Sequence, residues 1–82
     1  MFVVAETFLN PGEPSSADYR LRPIPGQAFP VTMRVQASRA QRMAFPLGTR
    51  FRLPVELVET KTGALFLRVV GQQTWQVWDG RP

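Results

Sequence analysis

Six side chains in this sequence are of the types that bind nucleic acid: four arginines and two aromatic rings. Arginine is a bidentate partner for phosphate, and aromatic ring faces stack on bases. When the strands are paired by their apolar pattern, all six project from the sheet face opposite the core. They are Arg34, Arg50, Arg52, Phe66, Arg68 and Trp78. This composition is typical of a stacking platform for single-stranded nucleic acid. The competing interpretation is a solvated charged face, because arginine stems also cover apolar surface without any ligand.

The side chains that most enzymes depend on are missing. The 82 residues include no histidine and no cysteine, which removes the commonest general base, the best thiol nucleophile and the usual zinc ligands. The carboxylates form no recognisable acid–base motif, and no glycine-rich phosphate loop is present. The six carboxylates are Glu6, Glu13, Asp18, Glu56, Glu59 and Asp79. We therefore expect a protein that is not an enzyme and that holds no cofactor and no metal ion.

The net charge of +4 comes almost entirely from arginine, with a single lysine. A GC-rich genome also favours arginine, so the charge alone carries little weight. No apolar stretch approaches the roughly 20 residues that span a bilayer, and Glu6 interrupts the apolar start of the chain. The sequence predicts one domain over residues 1–82, cytoplasmic and without a membrane partner.

The residues from Thr49 to Glu59 alternate between apolar and polar side chains, which predicts a half-buried strand. The inward set is Phe51, Leu53, Val55 and Leu57, and the outward set is Arg50, Arg52, Pro54 and Glu56. Because Pro54 cannot donate to a ladder, it indicates a sheet edge or a bulge at this point.

Two turns follow this strand. Lys61–Gly63 predicts a three-residue hairpin loop with Gly63 in the left-handed conformation. Its register places Glu56 opposite Arg68 on the outer face, with Val55 opposite Val69 and Leu57 opposite Leu67 inside.

The second turn, Gly71–Gln73, predicts another hairpin. Inside, it sets Val69 against Trp75 and Leu67 against Val77. Outside, it sets Phe66 against Trp78, which brings the two rings of the platform together.

Residues Met1–Leu9 predict a strand that is apolar on both faces, either covered on both sides or buried against a partner. Residues 10–18 have loop composition. Tyr19–Ile24 predicts a short edge strand, because Pro23 and Pro25 limit it. Phe29–Ala37 alternates cleanly and predicts a strand.

One short helix is predicted over Ser38–Ala44, with Ser38 and Gln41 as its capping box. The fold class is therefore all-β: a small, curved, antiparallel barrel or roll of five to six strands with one helical turn. SH3-like and OB-like barrels are the nearest architectures. The predicted core consists of Val31, Val35, Phe51, Leu53, Val55, Leu57, Leu67 and Val69.

Two functions fit this barrel. The first is a non-catalytic module that binds single-stranded nucleic acid through the arginine and aromatic face. The second is a protein-interaction or homodimer-forming module that uses the N-terminal strand and the exposed aromatics. Binding that weakens steeply with salt would favour the first.

Overall fold

The computed structural model describes residues 1–14, 17–71 and 75–80, and it is a small all-β barrel. One six-stranded sheet curves until its two ends nearly meet, as the sequence predicts. The elements are β1 (Phe2–Phe8), β2 (Arg20–Pro23), β3 (Val35–Gln36), α1 (Arg39–Met43), β4 (Arg50–Glu59), β5 (Leu65–Val69) and β6 (Gln76–Val77).

Strand β4 lies at the centre of this sheet. One of its edges pairs with β1, from Phe2 opposite Pro54 to Glu6 opposite Arg50. Its other edge pairs with β5 along its second half and with β6 along its first half. Strand β2 adds to β1, and the short β3 adds to β5 in parallel. The two ends of the sheet are therefore β2 and β3, and a seam runs between them.

The core is built on the inward side chains of β4. Phe51 and Leu53 are fully buried, and the Phe51 ring meets Phe45 and Trp75 edge-on with ring centroids 5.1 Å apart in each case. Such pairs add stability beyond the area they bury. The buried cluster consists of Val3, Ala5, Leu21, Val35, Phe51, Leu53, Val55, Leu67 and Trp75.

The predicted core is right except at two positions. Leu57 and Val31 are each 44% exposed, whereas Val69 packs partly buried against the cluster. Leu57 lies where the β4–β5 hairpin approaches its tip, whose residues 59–65 are all exposed. Val31 lies in a turn that the Met33 N–H closes onto the Pro30 carbonyl at 3.0 Å, so no strand forms there.

The first predicted hairpin is confirmed. Gly63 has φ +88°, and the Thr60 N–H donates to the Ala64 carbonyl at 2.8 Å. The register sets Glu56 opposite Arg68, as predicted, and their side chains form an ion pair on the outer face. The loop type and the charge pattern therefore select the same register.

The second predicted hairpin is wrong. Strand β6 pairs with β4, not with β5, and Val77 is 55% exposed instead of facing Leu67. Three positions separate Val55 from Arg52 along β4, whereas seven separate their partners Val69 and Gln76, so this edge carries four extra residues. Residues 72–74 of the predicted turn lie outside the described residues.

Pro54 stands opposite this interruption. Its carbonyl accepts from the Val70 N–H at 3.0 Å, so its main chain faces the β5 and β6 edge. A proline has no N–H to offer there, and the partner strand departs at that point. The predicted sheet edge at β4 is wrong, because β4 has partners on both sides. The predicted bulge in β4 is also replaced, by an interruption of four residues in the partner edge.

Four other predictions have mixed outcomes. The N-terminal strand and the short proline-limited edge strand are confirmed as β1 and β2. The strand predicted over Phe29–Ala37 is reduced to the two residues of β3. The capping box is wrong, because the Ser38 side chain makes no cap hydrogen bond and Gln41 Oε1 accepts from the Trp75 N–H at 3.4 Å.

The side chain of Gln27 serves as a strand partner for β1. Its Oε1 accepts from the Val4 N–H at 2.7 Å, and its Nε2 donates to the carbonyls of Val4 at 2.7 Å and Ile24 at 3.0 Å. This amide continues the hydrogen bonding of β1 past the point where β2 ends at Pro23.

Replacing the buried Leu67 tests the core. Leu67→Ala should lower the free energy of unfolding by about 2–5 kcal/mol, because it removes a fully buried side chain beside Val35 and Leu57. The matched control is Leu65→Ala on the same strand, where the side chain is 48% exposed and the loss should be much smaller. Equal losses in urea denaturation would contradict this core.

The left-handed Gly63 gives a second stability test. Gly63→Ala should cost about 1 kcal/mol, because alanine is strained at this φ. Gly63→Asn should cost less, because asparagine tolerates the left-handed region better. The two denaturation midpoints should therefore differ, and a midpoint for Gly63→Ala at the parent value would refute the expectation.

Candidate functional site

The six predicted site residues fall into two groups on the outer surface. Arg50, Arg52 and Trp78 lie on β4 and at the end of β6, where the Trp78 N–H donates to the Arg50 carbonyl at 2.8 Å. The other three, Arg34, Phe66 and Arg68, lie on or beside β3 and β5. Phe66 stands opposite Val58, so the predicted contact between Phe66 and Trp78 is wrong.

The first group belongs to a larger surface, which we call the β1–β4 face. It is the outer face of β2, β1, the first half of β4, and β6 with Trp78. Pairing across β1 sets Glu6 opposite both Arg22 and Arg50, while Val4 faces Arg52. The polar and aromatic members of this face are Phe2, Glu6, Phe8, Arg20, Arg22, Arg50, Arg52, Gln76 and Trp78.

An exposed aromatic ring carries an arginine at one end of this face. The Arg52 guanidinium carbon lies 4.0 Å from the ring centroid of Phe2, and Phe2 is 55% exposed. Within the described residues Arg52 forms no ion pair. Its charge is therefore available, and stacking on the ring fixes the plane of its five N–H donors.

A second pair of this kind lies at the other end. The Arg22 guanidinium carbon is 4.4 Å from the centroid of Phe8. Arg22 Nε also reaches Glu6 Oε1 at 3.0 Å, and Arg50 Nε reaches Glu6 Oε2 at 3.4 Å. One carboxylate thus orients two arginines and neutralises only one of them.

Helix α1 holds the segment from which β2 begins. Arg42 Nη1 donates to the Tyr19 carbonyl at 2.6 Å, and the Tyr19 N–H approaches Met43 Sδ at 3.2 Å. The exposed Arg39 donates to Asp18 Oδ2 at 2.8 Å, which lowers the pKa of Asp18 and raises the pKa of Arg39. These contacts position Arg20 and Arg22 on the β1–β4 face.

The second group offers less unpaired charge than the first. Arg68 is bound to Glu56, so its charge is balanced. The Arg34 guanidinium carbon lies 5.5 Å from the centroid of the Phe66 ring. Among the described residues, Arg34 is therefore the one arginine of this group that forms no ion pair.

Sequence reasoning missed two aromatic rings and two arginines of the β1–β4 face, namely Phe2, Phe8, Arg20 and Arg22. Their signal was present, because Phe2, Val4 and Phe8 share one face of a period-two strand. What was missing was the neighbour of that strand. The face exists because β1 lies beside β4, and local sequence does not specify that pairing.

Residues 1–14, 17–71 and 75–80 contain no group of three or more histidine, cysteine, aspartate or glutamate side chains that could hold a metal ion. No helix among them has the length and apolar character needed to cross a membrane.

Comparison of the chain with protein-family models, with curated proteins and with solved structures gives no match. The candidate site therefore depends on its own geometry and charge.

Proposed function

We propose that this protein is a non-catalytic module that binds single-stranded nucleic acid on its β1–β4 face. The observation that carries the proposal is the pairing of Arg52 with the exposed ring of Phe2. A base can stack on ring surface that the guanidinium leaves exposed or on the guanidinium plane itself, and the N–H groups at the edge of that plane can meet the neighbouring phosphate.

The spacing of the rings suits separate bases rather than one sandwiched base. Phe2 lies on β1 opposite Pro54, and Trp78 lies two strands away beside Arg50. The two positions differ by two strand spacings across the sheet and by four residues along β4. The distance between them is therefore about 16 Å. Each ring then serves its own base, and Arg52 and Arg50 lie between them.

The charge balance of the face supports an anionic ligand. Its four arginines, Arg20, Arg22, Arg50 and Arg52, are opposed by Glu6 and by Glu13, which pairs with Arg20 at 3.0 Å. A guanidinium has five donors, so one carboxylate contact leaves others for phosphate. Binding of this kind requires no histidine, cysteine or metal ion.

The alternative function is association with a second copy or with another protein. An interface through the edge of β1 loses support, because β2 and β4 occupy its two edges. The alternative retains support from Leu57 and Leu65, which are 44% and 48% exposed near the hairpin tip. It predicts a mass in solution that rises with protein concentration and depends little on salt.

Salt dependence tests the proposal directly. Arg52→Ala should lower the slope of log affinity against log salt concentration by about 0.7 for a labelled single-stranded oligothymidylate, the amount expected for one phosphate. Phe2→Ala should weaken binding by about 1–3 kcal/mol from lost stacking. Fluorescence anisotropy at several salt concentrations measures both effects.

The matched control is Arg68→Ala, which removes an exposed arginine that lies on β5, outside the β1–β4 face, and that is paired with Glu56. It should leave the salt slope unchanged, and thermal melting should show that each variant is folded. Glu6→Gln should strengthen binding, because it removes the carboxylate that Arg22 and Arg50 share. An oligonucleotide that does not bind at low salt, or equal slopes for Arg52→Ala and the parent, would refute the proposal.

A further inference from the structure

The seam of the barrel forms a groove of about 880 Å³. Arg20 and Arg22 of β2 line one side of it, and Arg34 and Gln36 line the other. The Cα atoms of β2 and β3 approach within 8 Å, so the gap is too narrow for an added strand, which would need about 10 Å between its neighbours. An occupant of this groove must therefore lie over the seam and not within the sheet.

The groove lining is strongly basic. Four arginines and a single carboxylate line it, namely Arg20, Arg22, Arg34, Arg42 and Glu6. Its floor is apolar where Leu21 and Val35 are buried beneath it. An anionic chain with some apolar surface complements this lining.

Each side of the groove carries an arginine that is held on an aromatic ring. Arg22 stacks on Phe8 at 4.4 Å, and Arg34 lies 5.5 Å from the centroid of Phe66. Ring contacts limit the motion of both guanidinium groups, so less side-chain entropy is lost when they bind a phosphate.

The groove is continuous with the β1–β4 face, because Glu6, Phe8, Arg20 and Arg22 belong to both. The distance from β6 across β4 and β1 to β2 is about 14 Å, at three strand spacings. Four stacked nucleotides cover about 14 Å at roughly 3.4 Å each. A longer strand that runs from Trp78 across β4 and β1 extends beyond β2, where the groove begins.

We infer that single-stranded nucleic acid continues from the β1–β4 face into the seam groove, where Arg34 binds its phosphodiester backbone. This inference rests on the proposed function and extends it. It gives the protein a binding site that is longer than the face itself, and it joins the two arginine groups into one path. A phosphodiester chain is favoured over an acidic peptide, because the groove shares Glu6, Phe8, Arg20 and Arg22 with the face proposed to bind single-stranded nucleic acid.

The test compares a short oligothymidylate of about four nucleotides with a long one of about twelve, within the range of site sizes known for small barrels. Arg34→Ala should lower the salt slope for the long oligonucleotide by about 0.7 and leave the slope for the short one unchanged. Arg52→Ala should lower both slopes. Arg68→Ala, which does not line the groove, should change neither.

A conservative variant distinguishes the loss of the Arg34 charge from a loss of folding. Arg34→Lys keeps the charge and should keep the salt slope for the long oligonucleotide, while its affinity falls because the planar group is lost. Melting temperatures should identify any variant that fails to fold.

The outcomes separate the two proposals. If both oligonucleotides bind the parent but Arg34→Ala has the parent slope for the long one, the groove inference fails and the proposed function stands. If neither binds, both fail. If poly-glutamate binds in a manner that depends on Arg34 and the long oligonucleotide does not, the groove belongs to an acidic polypeptide and the inference is overturned.

Discussion

The barrel depends on the pairing of one ten-residue strand with three others. Strand β4 gives one edge to β1 and shares the other between β5 and β6. The two end strands follow at one remove, β2 through β1 and β3 through β5. The inward side chains of β4, Phe51, Leu53 and Val55, hold these strands together. Each belongs to the buried cluster and is almost fully removed from water.

The interruption opposite Pro54 decides where the aromatic rings lie. Without this interruption, β5 would either continue along β4 or turn back at Gly71 and form a hairpin with the next strand. Instead four extra residues let the chain leave β4 at Val70 and return to it at Gln76. Trp78 consequently stands beside Arg50 and not beside Phe66. The group around Arg34 lies on the other part of the surface, beside β5 and β3, and the seam groove adjoins both regions.

The sequence predicted what depends on neighbouring residues. The β4–β5 hairpin was predictable, because the loop with Gly63, the alternation and the Glu56–Arg68 pair all favour one register. The partner of β6 was not. Alternation places Val77 on the inward face whether the strand pairs with β4 or with β5, so the pattern could not distinguish them.

Other features lie beyond sequence patterns because they depend on contacts between distant residues. Phe2 and Arg22 join the candidate site only through the position of β1 between β2 and β4. The amide of Gln27 reaches Val4 from 23 positions away, and nothing in the loop around it indicates a strand partner. Val31 alternates correctly with its neighbours, yet Pro30 closes a turn around it.

The unequal chain separations within the sheet have a consequence for the order of folding. Partners in the β4–β5 hairpin are 6 to 14 positions apart, from Glu59 with Leu65 to Val55 with Val69. Partners between β1 and β4 are 44 to 52 positions apart, from Glu6 with Arg50 to Phe2 with Pro54. Closing the longer loops costs about 1.4 kcal/mol more in chain entropy.

We therefore expect the hairpin to form early and β1 to dock late, so that Leu67→Ala slows folding while Val3→Ala mainly speeds unfolding. Mutational φ-values, the ratio of the change in folding activation free energy to the change in stability, would argue against this order if they were equal at these two positions. The surface on which Phe2 meets Arg52 is then the last part of the protein to assemble, and a chain interrupted during folding would have the arginine without its ring.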